Sequence, residues 1–183
     1  MQTATPFPPI RPSSPRLSGE PSGTRPMRCA EKGEALGMEK RPEGDWEGAR
    51  RFHGHLGPWL ALGMKMGSVL LRELGARPYF GLRIRVECPL APPVSCLLDG
   101  LQWSTGATYG KQNLLAQAGE EVKVWAENTD TGEQVELVAL PETPARLQGW
   151  LADLGEEGAA LQVWESPAEE LFRLRRLESE DAP

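Results

Sequence analysis

The chain has 183 residues, of which 39% are hydrophobic and 25% charged, and a formal net charge of −6, which suits one domain of ordinary size plus tails. No apolar run approaches the roughly 18 residues of a membrane span, and the N-terminus has no apolar stretch of signal-peptide length. Residues 1–115 carry 15 Lys/Arg against 10 Asp/Glu and residues 116–183 carry 5 against 16, so an acidic half and scattered basic residues speak against nucleic-acid binding.

Residues 1–43 form a Pro/Ser/Arg-rich tail. Such a composition buries too little apolar surface to offset its ordering entropy, so disorder is expected there. An over-extended start, with Met27 or Met38 as initiator, is the first alternative and a transit peptide the weaker one. Residues 44–183 are then the folded domain. The segment Asp45–Phe52 predicts a short helix with Asp45 as N-cap. Next comes Arg51-Phe52-His53-Gly54-His55-Leu56-Gly57-Pro58, which holds both histidines of the chain. Pro58 suits the first position of a helix. Leu60, Met64, Leu71 and Leu74 then recur at helical spacing from Trp59 to Leu74, and Gly75 stops the run. Gly63 and Gly67 lie four apart on it; interior glycine costs about 1 kcal/mol against alanine, so the pair suggests close approach of another backbone, with a simple packing groove as the plainer and preferred reading.

Gly81–Cys88 alternates as a half-buried strand. After a Pro-rich bend, Val94–Trp103 predicts a helix that Ser104-Thr105-Gly106 ends, and Ala107–Asn113 predicts a polar loop. Glu121–Glu127 and Glu133–Leu140 alternate on either side of a Gly-containing turn and predict a hairpin. Ala145–Leu154 and Pro167–Leu177 predict two C-terminal amphipathic helices. This order gives an α+β fold, a mixed or antiparallel sheet packed with helices.

Two segments could carry chemistry. Neutral imidazole is the commonest metal ligand and titrates near neutral pH, so the His-Gly-His turn is a candidate metal or acid–base site. The plainer reading is two loop histidines. In the second segment, Cys96, Asp99 and Trp103 share one helical face. The loop beyond offers Thr105, Thr108, Lys111 and Asn113 around glycines that let a ligand approach the backbone, with Gln102 beside them. His53, His55 and Cys96 make an N/N/S set that suits zinc or another divalent metal and leaves a position open. Asp99 would orient a ligand or accept a proton, and Lys111 would stabilise an anion. Each residue also has a plainer reading, Cys96 as a small buried hydrophobe and Asp99 as a surface charge. The loop is no Walker A motif, and neither a Gly-x-Ser-x-Gly elbow nor a Cys-x-x-Cys pair exists. An odd cysteine count, Cys29, Cys88 and Cys96, points to a reducing cytoplasm rather than a disulfide framework.

Together these motifs resemble the FmdE family, which takes its name from a component of formylmethanofuran dehydrogenase. Its turn, Phe-His-Gly-His-x-Cys-Pro-Gly, is matched by Phe52-His53-Gly54-His55-Leu56-Gly57-Pro58-Trp59. Its second motif is matched at Cys96, Asp99, Gln102, Thr105, Gly106, Thr108, Gly110, Lys111 and Asn113. The resemblance spans residues 46–140. It implies an α+β core, an intertwined homodimer, and a metal site, with zinc first, built from His53, His55 and Cys96. In that site Asp99 and Lys111 are catalytic and Gln102, Thr105, Thr108 and Asn113 bind substrate. Gly57 stands where the family carries cysteine and Trp59 where it carries glycine. That departure leaves Cys96 as the sulfur donor of the motifs and weakens a cysteine-pair redox role. The alternatives are a non-catalytic accessory protein that delivers a ligand to a molybdenum- or tungsten-type oxidoreductase, and a homodimer in which the Gly-His segments serve packing.

Overall fold

A computed structural model describes residues 45–177. The tail 1–43, Cys29 and the alternative initiators lie outside the described residues. The elements run α1 (Trp46–His53), α2 (Pro58–Leu74), β1 (Leu82–Cys88), α3 (Cys96–Thr105), β2 (Leu114–Ala118), β3 (Lys123–Asn128), β4 (Gln134–Ala139), α4 (Thr143–Glu165) and β5 (Phe172–Leu177). Short 3-10 turns occupy Tyr109–Lys111 and Ala168–Glu170. The strands form one mixed sheet in the order β2-β1-β3-β4-β5. Only the β1/β2 pair is parallel, with α3 as its crossover, and the other three pairs are antiparallel. The α+β arrangement read from the sequence is the one observed.

The sheet hides one face. Leu82, Ile84, Val86 and Cys88 of β1 are buried, as are Val124 and Ala126 of β3 and Val135 and Leu137 of β4. Against this face lies α2, which touches α3, α4, β3 and β4. It is buried almost all round: Leu60, Leu62, Met64, Met66 and Leu70 are each at most 2% exposed. A helix apolar on all sides belongs in the middle of a core. Its start and stop are local chemistry, Pro58 in the first turn and Gly75 in the left-handed conformation at the end.

The glycine pair on α2 marks close approach of another helix, more than the simple packing groove preferred from sequence. A Cβ on Gly63 would lie 2.0 Å from the Leu97 carbonyl oxygen, and one on Gly67 2.0 Å from Ser104 Oγ. From the other side, a Cβ on Gly100 would lie 2.1 Å from the Leu60 carbonyl oxygen. The backbones of α2 and α3 therefore meet directly, and this contact fixes where Cys96 and Asp99 sit.

Three expectations change. Pro167–Leu177 is not a helix: it is a 3-10 turn followed by edge strand β5, paired with β4 from Ala139↔Phe172 to Gln134↔Leu177. Its Glu, Leu and Arg content favours helix, but pairing to an open sheet edge overrides propensity. The helix expected over Ala145–Leu154 extends from Thr143 to Glu165, with a break at Gly155 (φ 70°, ψ −179°). Leu114–Ala118, unassigned from sequence, is strand β2.

Candidate functional site

The His-Gly-His spacing has a mechanical cause. Gly54 ends α1 in the left-handed conformation (φ 102°), and its N–H donates to the Arg50 carbonyl at 2.7 Å. Only glycine adopts this geometry without cost. The reversal brings the ring of His55 back beside that of His53, with centroids 4.7 Å apart and planes tilted by 40°. Asp45 caps the other end of α1, accepting from the Gly48 N–H at 3.0 Å, as expected. Gly48 and Phe52 then seat α1 on Trp103 of α3. A Cβ on Gly48 would lie 2.4 Å from that indole, and the Phe52 and Trp103 rings are 5.8 Å apart.

This seating joins the two motifs. His53 Nδ1 lies 2.7 Å from Asp99 Oδ2. The other Asp99 oxygen accepts from Gln102 Nε2 at 3.3 Å, and Gln102 Oε1 accepts from the Tyr109 N–H at 3.2 Å. One hydrogen-bonded chain thus runs from the histidine turn along α3 to the loop. With Asp99 accepting, the neutral His53 ring carries its proton on Nδ1 and presents the Nε2 lone pair. The His53 side chain is 9% exposed, and its Nε2 is buried with no hydrogen-bond partner among the described residues.

That ring lines a cleft of about 70 Å³. His55, Gly57 and Cys96 share it with Gln148 and Glu156 of α4, and Pro93, Leu147 and Leu151 give it apolar walls. Cys96 is the first residue of α3. Burial pushes its thiol pKa up, and the Asp99 charge adds to that. Among the described residues, no three His, Cys, Asp or Glu side chains converge closely enough to hold a metal ion. The donors share one cleft but are not gathered around one point. Cys88 lies apart, buried in the sheet core, where burial pushes its thiol up to about 11. Both cysteines are free.

The remaining motif residues work within the fold. Thr105 is fully buried, and its hydroxyl donates to the Leu101 carbonyl at 2.6 Å and accepts from the Ala107 N–H. Asn113 donates to the carbonyls of Tyr79 (2.5 Å) and Leu82 (3.2 Å) and accepts from the Thr108 N–H (2.9 Å). It stitches the loop to the start of β1. Thr108 caps the 3-10 turn. Lys111 Nζ donates to the Gly106 carbonyl at 2.9 Å and approaches Thr108 Oγ1 at 3.4 Å, 5.8 Å above the rings of Tyr79 and Phe80. None of these four lines the cleft. Gln148 and Glu156 do, and sequence reading missed them because the α4 pattern carried no motif.

Comparison with known proteins agrees with this architecture. The family model described as FmdE, molybdenum formylmethanofuran dehydrogenase operon, matches residues 52–181. A probable S-adenosyl-L-methionine-binding protein of Archaeoglobus fulgidus is 38% identical over 73 residues, covering 37% of this chain and 19% of that protein. The chain thus spans about a fifth of that relative's length. A crystal structure of an FmdE-like protein from Syntrophus aciditrophicus, of the tungsten formylmethanofuran dehydrogenase type, superposes with a TM-score of 0.51 at 23% identity, over 72% of this chain and 69% of that one. At that identity the likeness concerns the fold.

Proposed function

This chain belongs to the FmdE family, and on that premise we propose that its cleft binds a divalent metal, zinc first, through His53, His55 and Cys96. The observation that carries the reading is His53 itself. A buried imidazole nitrogen without a partner costs free energy, and here the ring's other nitrogen is held by a carboxylate. Metal-binding histidines have this arrangement, in which the carboxylate fixes the tautomer and raises ligand basicity. Two imidazoles and a thiol are a donor set that zinc accepts. In the proposal, His55 and Cys96 turn toward His53 Nε2 on binding, since the donors share the cleft without converging.

A bound metal would act as a Lewis acid on water or on a small polar substrate. The chain's own residues have separate tasks. Asp99 is the positioning residue for His53, and Gln102 holds Asp99 in turn. Thr105, Thr108 and Asn113 hold the loop that follows the C-terminal end of α3, the opposite end of that helix from Cys96. Lys111 spends two N–H groups on Gly106 and Thr108 and keeps a third at the surface, outside the cleft, where it would meet only a substrate long enough to reach from the metal to this loop. The cleft is small. Its volume of about 70 Å³ suits water and a small polar substrate better than a nucleoside cofactor.

Titration with Co(II), under conditions that keep thiols reduced, tests the proposal. Wild type should give visible ligand-field bands and a near-ultraviolet thiolate charge-transfer band, and His53→Ala and Cys96→Ser should each weaken binding. Unchanged binding in either variant would remove that ligand.

The family's description favours a second reading, in which the chain serves a molybdenum- or tungsten-type oxidoreductase as a non-catalytic accessory protein, delivering a ligand or the metal. Co-purification with such an enzyme supports it, and turnover of a substrate by the isolated chain discards it. In either reading we take the protein to be a cytoplasmic homodimer, for which light scattering should give twice the chain mass.

A further inference from the structure

We propose that Glu156 supplies an oxygen donor to the metal, from the wall of the cleft that the two motifs do not reach; this rests on the reading of the cleft as a metal site. The motif residues His53, His55 and Cys96 provide two nitrogens and a sulfur. These three leave one of zinc's four usual positions open; a carboxylate there fills it at rest, and expansion to five-coordinate keeps room for a substrate. Of the two carboxylates near the cleft, Asp99 is already committed to His53 and Gln102. Glu156 lines the cleft from its solvent-exposed rim and has no hydrogen bond or ion pair among the described residues, so its carboxylate is uncommitted.

The backbone explains how a helix residue comes to face this site. Gly155 interrupts α4 at φ 70°, ψ −179°, a region that essentially only glycine occupies. A Cβ there would meet nothing within 4 Å, so glycine serves conformation and not space. The next residue but one, Glu157, is bound to Arg50 of α1 at 2.7 Å. The break and this ion pair together tie the second half of α4 to the helix that carries His53, leaving Glu156 at the cleft. The independent pointer to a ligand is the buried, unpaired Nε2 of His53 in the same cleft.

The test is metal affinity, measured by competition with a chromophoric chelator, and the Co(II) spectrum, in the full chain. Glu156→Gln keeps size and removes the charge. It should weaken affinity at least about tenfold and alter the Co(II) ligand-field bands, while retaining the thiolate band of Cys96 and the wild-type melting curve. Asp153→Asn, at an exposed carboxylate of the same helix that does not line the cleft, is the control and should weaken affinity less. Wild-type affinity and spectrum in Glu156→Gln would overturn this inference and leave the His53/His55/Cys96 site standing. Equal losses in the two variants would also overturn it, by reducing Glu156 to general charge. Failure of wild type to bind Co(II) or zinc would defeat the underlying reading and this inference with it.

Discussion

Replacing Gly63 by alanine tests how α2 and α3 hold the site. In an unconstrained helix this change stabilises by about 1 kcal/mol. Here the new Cβ would lie 2.0 Å from the Leu97 carbonyl oxygen, 2.8 Å from its carbon and 3.0 Å from the Leu101 nitrogen. Ordinary carbon–oxygen contacts begin near 3.3 Å, and these atoms are backbone, so α3 must retreat by about 1.3 Å. With backbone at 2.0 Å, the cost lies in the upper part of the overpacking range, about 2–3 kcal/mol. After the propensity gain, a net loss of about 1–2 kcal/mol remains. For a domain of this size, about 1 kcal/mol moves the melting temperature by roughly 4 °C, so Gly63→Ala should melt about 4–8 °C below wild type. Gly149→Ala is the internal control. Gly149 also sits in a helix, but a Cβ there meets nothing within 4 Å, so this variant should melt at or above wild type. Circular dichroism melts of the three proteins decide the matter. A Gly63→Ala protein as stable as wild type would refute the close-contact argument. The same retreat would stretch the His53–Asp99 contact of 2.7 Å, so metal affinity should fall too.

Other outcomes follow from the same geometry. Asp99→Asn keeps the shape but loses the charge that holds His53, and metal affinity should drop about 10–100-fold with little change in melting temperature; unchanged affinity would remove Asp99 from the site. Gly57 has extended backbone (φ −131°, ψ 164°) and its Cβ position lies 3.4 Å from His55 Nε2. Gly57→Cys should therefore fold and add a second sulfur donor, seen as a stronger thiolate band on Co(II) binding; an unchanged spectrum counts against placing the metal there. Burial raises the Cys88 pKa from 9.0 to about 11, so the unfolded chain loses this proton first. The contribution of Cys88 is constant below about pH 9 and is lost as pH rises toward 11. Denaturant melts of wild type and Cys88→Ala across pH 8–11 should show a steeper decline in wild type; parallel curves would contradict it.

Local chemistry made much of this fold readable. Asp45, Pro58 and Gly75 mark helix ends by capping and backbone restriction, and Leu82 to Cys88 marks a strand by alternation. These signals depend on neighbours in sequence. Strand β5 depends instead on β4. Phe172-Arg173-Leu174-Arg175-Arg176-Leu177 has no turn or β-branched signal of its own, and an open edge decides its state. Strand β2 is similar, with alanine and glutamine in a parallel edge position. The break at Gly155 was hidden because a positive-φ glycine and a helix-interior glycine read alike in sequence.

The site was legible to the same extent. The seating of His53 against Asp99 follows two motifs that sequence reading had already coupled. The tasks of Thr105 and Asn113 could not be read, because a threonine that closes a helix and one that meets a substrate have the same spacing. Glu156 was out of reach because only the folding of α4 across the cleft places it in the lining that the histidines share.

The most direct test of the account is metal stoichiometry of the tag-free full chain, purified with thiols reduced and measured by elemental analysis beside His53→Ala. The account predicts one zinc or other divalent ion per chain in wild type and a marked loss in the variant. Wild type free of metal and unable to take it up, or a variant that keeps the full amount, would contradict it.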